Sequence, residues 1–205
     1  CDTLHRAVLA LCRPLCSQVD SSDTNLSDIL SALEVRPGGI VYVHSSAEWI
    51  QRGGVDIRTA LSELRAALGP DATLVLPALP YSPPLEDFLA TSPVVDLQRT
   101  PTRAGLLAEI FRRSPETRRT FDPDVSLSVG GPESDWIVGE TPCLGWNPLG
   151  PHSPYRRILS AGAYVLGLGV SRNTMGLVHV IDSLFADRYP IDIYCRKTMQ
   201  ATSID

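Results

Sequence analysis

Residues 39–69, GIVYVHSSAEWIQRGGVDIRTALSELRAALG, place chemistry-bearing side chains where a backbone could hold an anion. His44, Ser45 and Ser46 follow a short apolar run, Ile40-Val41-Tyr42-Val43. Gly53-Gly54 then precedes a helical pattern in which Ile57, Leu61, Leu64 and Leu68 share one face. The first N–H groups of a helix are unbonded, and its dipole is positive at that end. Glycine lets a phosphate come close to the backbone, so this order of elements suits anion binding. The same order also describes a tight strand-to-helix connection that binds nothing, and His44 alone is equally consistent with a buried imidazole bonded to backbone.

The elements that must position these residues follow from the apolar pattern. Residues 40–43 read as a buried strand and Gly69-Pro70 as the stop of the helix after it. Residues 73–77 read as a second buried strand. Residues 164–170 read as a third, whose Gly167 and Gly169 imply a close approach of backbone or ligand. Residues 2–17 form a helix broken near Pro14, and Asp23 or Thr24 caps another in which Leu26, Ile29, Leu30 and Leu33 share a face. Thr100-Pro101 has the form of a cap and first helical residue, with Leu106, Leu107, Ile110 and Phe111 as the buried stripe and Glu109 paired to Arg113. A short strand over 125–129 and a helical turn over 135–139 follow. Ser153-Pro154 opens a helix with Ile158 and Leu159 inward, and further on come a helix over 175–187 and a strand over 191–194. Residues 78–99, with Pro80, Pro83, Pro84 and Pro93, fit neither period and read as a long mobile loop. Apolar strands alternating with amphipathic helices predict one α/β domain over 1–205, with a central mixed, partly parallel sheet flanked by helices and an N-terminal extension or helix over 1–24.

The composition is that of an ordinary globular chain, 43% hydrophobic and 20% charged in 205 residues. A net charge of −5 gives no support to a nucleic-acid partner. No apolar run approaches the ~18 residues of a membrane span, so no membrane partner is expected. The five cysteines, Cys1, Cys12, Cys16, Cys143 and Cys195, are odd in number and match no zinc spacing, which points to a reducing, cytoplasmic compartment and no metal.

In order along residues 25–185, the segments RPGGIVYVHSS, GGVDIRTALSELRAALGPDATLVLPAL, RTPTRAGLLAEIFRR, RRTFDPDVSLSVGGP, LGPHSPYRRILSAGAYVLGLGV and NTMGLVHVID resemble the aminoglycoside 3-N-acetyltransferase family. The resemblance implies transfer of an acetyl or related acyl group from acetyl-CoA, or another acyl-CoA, to the amine of a small-molecule acceptor such as an aminosugar or biosynthetic intermediate. It implies that His44, Ser45, Ser46, Gly53 and Gly54 hold the CoA arm and its phosphates, with Thr100 and Ser126 on the same cofactor side. It also implies a chain longer at the C-terminus; the stretch Pro80 to Ser92, by its length and lack of period, is expected to be a mobile loop beside the acceptor pocket.

The family's base is a His in an Arg-Ser-x-His-Pro-x-x-Ser motif, oriented by the acid of a later His-x-x-Glu. Here the first motif reads Arg119-Thr120-Phe121-Asp122-Pro123-Asp124-Val125-Ser126, with Asp122 at the histidine position. The second reads His179-Val180-Ile181-Asp182, with Asp182 for the glutamate. A carboxylate of ordinary pKa, about 3.9, is a much weaker base than imidazole. Two carboxylates sharing one proton, Asp122 and Asp182, would raise one apparent pKa. Alternatively His179, one helical turn from Asp182, serves as base; or the pair is merely solvated. The readings that follow are an N-acyltransferase, a CoA- or acyl-carrier-binding module, and an enzyme of altered chemistry on the same fold.

Overall fold

The computed structural model describes residues 26–52, 54–82, 84–91, 93–139, 148–171, 176–190 and 201–204. The expected helix over 2–17, the caps Asp23 and Thr24, the five cysteines, Gly53 and the strand over 191–194 lie outside the described residues.

A five-stranded mixed sheet forms the centre. Its strands are β1 (Ile40–Ser45), β2 (Thr73–Pro77), β4 (Thr117–Arg119), β5 (Leu127–Gly130) and β6 (Tyr164–Leu168), in the order β4-β5-β2-β1-β6. β1 runs parallel to both β2 and β6, while β5 is antiparallel to β2 and to β4. Alternation along the strands sends side chains to two cores. Val41, Val43, Leu74, Leu76 and Leu166 pack with the helices α1 (Leu26–Ala32), α3 (Ile57–Leu68) and α5 (Leu106–Arg112) on one face. Tyr42, Val75, Leu127 and Val129 pack with α6 (Ser134–Val138), α7 (Pro154–Ser160) and α8 (Leu177–Leu184) on the other. The predicted α/β domain with a mixed sheet is what forms. Among the described residues no helix is long and apolar enough to cross a membrane.

The helix α3 has the bounds its apolar spacing predicts, burying Ile57, Leu61, Leu64 and Leu68. Gly69, at φ +82°, ends it, with its N–H on the Arg65 carbonyl. The α7 cap is also as read: Ser153 Oγ accepts from the Arg156 N–H, and Pro154 is the first helical residue.

Several elements differ from the sequence reading. A short helix, α2 (Ala47–Arg52), lies between the polar cluster and Gly54. Residues 78–99 are not one structureless loop, because α4 (Leu85–Ala90) and β3 (Val94–Asp96) form inside them. β3 pairs in parallel with β7 (Thr202–Ile204), and tertiary pairing over three residues leaves no period to read. Thr100 does not cap a helix: its hydroxyl oxygen accepts from the Asp96 N–H in a turn, and α5 starts six residues later. Ile29 and Leu106 face solvent, and β6 is an edge strand of the sheet in which only Leu166 is buried.

Glu109 ties this part of the fold together. It accepts from the Thr102 N–H and the Arg113 Nε–H, and both of its oxygens take the Arg112 guanidinium, which is 3% exposed. The Arg112 hydrogen bond holds its carboxyl down to about 2 against a burial effect that opposes it. A folded-state pKa below the ordinary 4.5 means stabilisation that is full above that value and lost as pH falls towards 2. Glu109→Gln should therefore cost about 3 kcal/mol at neutral pH, as breaking a buried ion pair does. In urea unfolding, the gap between the parent and the variant should close as pH falls through this window; a gap unchanged with pH would count against the ion pair as its source.

Candidate functional site

The sheet opens at the carboxyl end of its parallel strands. β1 and β2 are paired only from Ile40–Thr73 to Tyr42–Val75. Beyond that, β1 continues with β6 as far as Ser45–Leu168, and β2 with β5 as far as Pro77–Leu127. Pro77 has no N–H to bridge the gap. Open α/β sheets place ligands in such a crevice outside the strand carboxyl ends.

β1 sends His44 to the same face as Tyr42. The imidazole is 8% exposed, lies edge-on to the Tyr42 ring at 4.5 Å, and has an unpartnered Nε2. Burial lowers its pKa to about 4, so the ring is neutral. Tyr42 and Tyr155 join through their hydroxyls at 3.2 Å. Burial raises both phenols, Tyr155 to about 12. The start of α8 closes on this pair, since a Cβ at Gly176 would lie 3.8 Å from the Tyr42 hydroxyl and 3.9 Å from that of Tyr155.

Asp122 and Asp124 sit half-buried in the turn between β4 and β5. Asp122 Oδ1 accepts from the Asp124 N–H at 2.9 Å. Burial raises both carboxyls; at Asp122 the Asp124 N–H bond opposes this and the Asp124 charge adds to it. Tyr81, just beyond β2, donates its hydroxyl to the Asp124 carbonyl at 3.1 Å and Oδ1 at 3.2 Å. Its own pKa is pushed well up by burial first and then by Asp124.

The structure separates the other residues read from sequence. His179 Nδ1 and Asp182 Oδ2 lie 3.5 Å apart, as their spacing predicts, but the His179 side chain is 73% exposed. Asp182 also accepts from the Tyr189 hydroxyl at 3.0 Å. It is not among the groups that shift Asp122, whose carboxylate partner is Asp124. The contact recorded at Asp122 Oδ1 is instead the backbone N–H of Asp124, two residues on across Pro123.

Among the residues expected to hold a cofactor, Ser46 caps α2, its carbonyl accepting from the Ile50 N–H and its Oγ from the Trp49 N–H at 3.4 Å. Ser45 ends β1 half-buried. Gly54, at φ +78°, turns the chain towards α3. The α3 start is not open to phosphate as the sequence suggests: Asp56 carboxylate already accepts from the Arg58 and Thr59 N–H groups. Ser126 is fully buried, with Oγ accepting from Arg119 Nε–H, which corrects its reading as a cofactor contact. Thr100 gives its carbonyl to the same guanidinium at 2.6 Å. Tyr81, Asp124 and Arg119 are the residues that sequence reasoning missed. The one signal for them was two carboxylates flanking a proline in the turn 122–124.

Residues 42–204 match the aminoglycoside 3-N-acetyltransferase family. Aminoglycoside N(3)-acetyltransferase IV of a Salmonella species is 31% identical over 169 residues, 80% of this chain and 59% of that protein. A binary structure of AAC-IIIb with CoASH superposes with a TM-score of 0.64 at 27% identity, over 77% of this chain and 63% of the other. A sisomicin-bound AAC-VIa gives the same TM-score, identity and coverage. The chain spans about three-fifths of the length of the curated relatives it matches.

The burial of His44 makes a direct prediction. Its imidazole proton resonance should titrate with a midpoint near 4. A midpoint near the ordinary 6.5 would show that the ring reaches water.

Proposed function

We propose that this chain, which belongs to the aminoglycoside 3-N-acetyltransferase family, moves an acetyl or related acyl group from a CoA thioester to an amine of an aminosugar or biosynthetic intermediate. The observation that carries this reading is the setting of Asp122. It stands at the family's base position, in the turn between β4 and β5, with its proton affinity raised by burial against the backbone N–H bonds that lower it. An acceptor ammonium of ordinary pKa, about 10, has no lone pair with which to attack a thioester until a base takes its proton. A half-buried carboxyl with raised proton affinity is a better acceptor for that proton than an exposed one.

The residues at the crevice fit a polar acyl-donor arm in part. The unpartnered His44 Nε2 and the Ser45 hydroxyl supply polar contacts at the end of β1, and Ser46 and Gly54 line the approach. Thr100 Oγ1 accepts from Asp96 and retains its own proton to donate. The start of α3, filled by Asp56, does not fit a phosphate. The CoA thioester supplies the activated acyl carbon; this chain's part is to hold donor and amine in register, exclude water and carry the proton at Asp122. The His179–Asp182 pair is the second reading of the base, favoured by its geometry and disfavoured by the exposure of His179.

The test is thiol release from acetyl-CoA against a panel of amines, with a CoA-binding titration beside it. A slow rate on typical aminoglycosides is expected from a carboxylate base, and Asp122→His should raise it. Asp122→Ala should lower any transfer by about 10²–10⁴-fold, the usual contribution of a general base. Full rate in Asp122→Ala with loss in His179→Ala would assign the base to His179, and CoA binding without release would favour a binding module.

A further inference from the structure

Asp124 fills an unspecified position of the motif around Asp122 and Tyr81 lies outside the motif, yet the two are hydrogen-bonded to one another in the Asp122 turn. Tyr81 comes from the proline-rich segment after β2, where its ring stacks on Phe88 of α4 at 5.3 Å and 23°. Its hydroxyl reaches across 43 residues of sequence to Asp124, bonding both the carbonyl and Oδ1. Asp124 in turn gives its N–H to Asp122 Oδ1. The titratable groups facing this pair are Asp122, Tyr81 and Tyr155.

We propose that Tyr81 and Asp124 are positioning residues for Asp122: the Tyr81 phenol fixes the Asp124 carboxylate as the charged member of the pair, and that charge makes Asp122 the proton acceptor. The inference rests on the acyltransfer reading for its catalytic meaning. Its physical basis does not. Two half-buried carboxylates so close do not ionise independently. The phenol donates to only one of them, so the pair is asymmetric. The phenolic hydrogen favours the anion at Asp124, and the charge kept there raises the proton affinity of Asp122 against the Asp124 and Val125 N–H bonds that lower it. Tyr81 also ties the proline-rich segment and α4 to the same turn, so the position of that segment and the basicity of Asp122 are set by one hydrogen bond.

Asp124→Asn keeps an acceptor for Tyr81 and removes the charge; Tyr81→Phe keeps the ring stacking on Phe88 and removes the donor. Both are made in the whole chain and read in two ways: by carboxyl carbon NMR titration of Asp122 and Asp124, and by the pH profile of thiol release from acetyl-CoA with sisomicin. In Asp124→Asn the Asp122 midpoint and the acid limb of kcat/KM should move together to lower pH. At neutral pH kcat should fall about tenfold, a fraction of what a general base contributes, while KM for acetyl-CoA stays unchanged. In Tyr81→Phe the Asp124 midpoint should rise and that of Asp122 should fall. If the parent releases no thiol, the acyltransfer reading fails and the carboxyl titrations still decide the roles of Tyr81 and Asp124. An Asp122 midpoint that stays put in either variant that folds overturns the inference, whatever the activity.

Discussion

The Arg119 guanidinium is buried at the end of β4, 6% exposed, and donates to the Ala78 carbonyl, the Thr100 carbonyl and Ser126 Oγ. Among the described residues no carboxylate lies within ion-pair distance of it. Burial, and then the like charge of Arg112, push its pKa down to about 10, with Glu109 and Asp96 pulling the other way. It therefore stays charged at neutral pH, held by neutral oxygens. Burying a cation is costly unless it is hydrogen-bonded, and here each of its three nitrogens donates to a different segment distant in sequence. The end of β2, the turn after β3 and the start of β5 are brought to one point. That point braces the turn bearing Asp122 and the segment bearing Tyr81, which are also joined by the Tyr81–Asp124 hydrogen bonds.

This arrangement explains what could be read in the sequence and what could not. α3 and β2 were legible because a run of apolar residues at one period fixes both the element and its buried face. The cap at Ser153-Pro154 was legible because its chemistry is local. Thr100-Pro101 has the same local form and is not a cap, because Asp96 and Arg119 claim its hydroxyl and carbonyl. Ser126 failed as a cofactor contact for the same reason: a motif position says which residue matters and not whether it faces a ligand or an arginine. Asp122 is legible through the resemblance, which leaves open whether Asp182, on α8, shares its proton or His179 serves as base. The turn at Pro123 instead supplied a carboxylate two residues away, and Tyr81 was invisible because a hydrogen bond across 43 residues leaves no period in the sequence.

The groups around the crevice are all displaced towards neutrality. His44 is lowered, Asp122 and Asp124 are raised, and the phenols of Tyr42, Tyr81 and Tyr155 are raised, with burial the largest cause in each. Such an environment has low effective polarity, so each remaining charge acts strongly on its neighbours. That is the setting in which one phenolic hydrogen bond can decide which carboxylate keeps its charge.

Pro77 gives the gap between β1 and β2 a covalent origin. The strands part where one of them has no hydrogen to offer. The place where the sheet opens is therefore written in the main chain of β2, immediately before the segment that carries Tyr81.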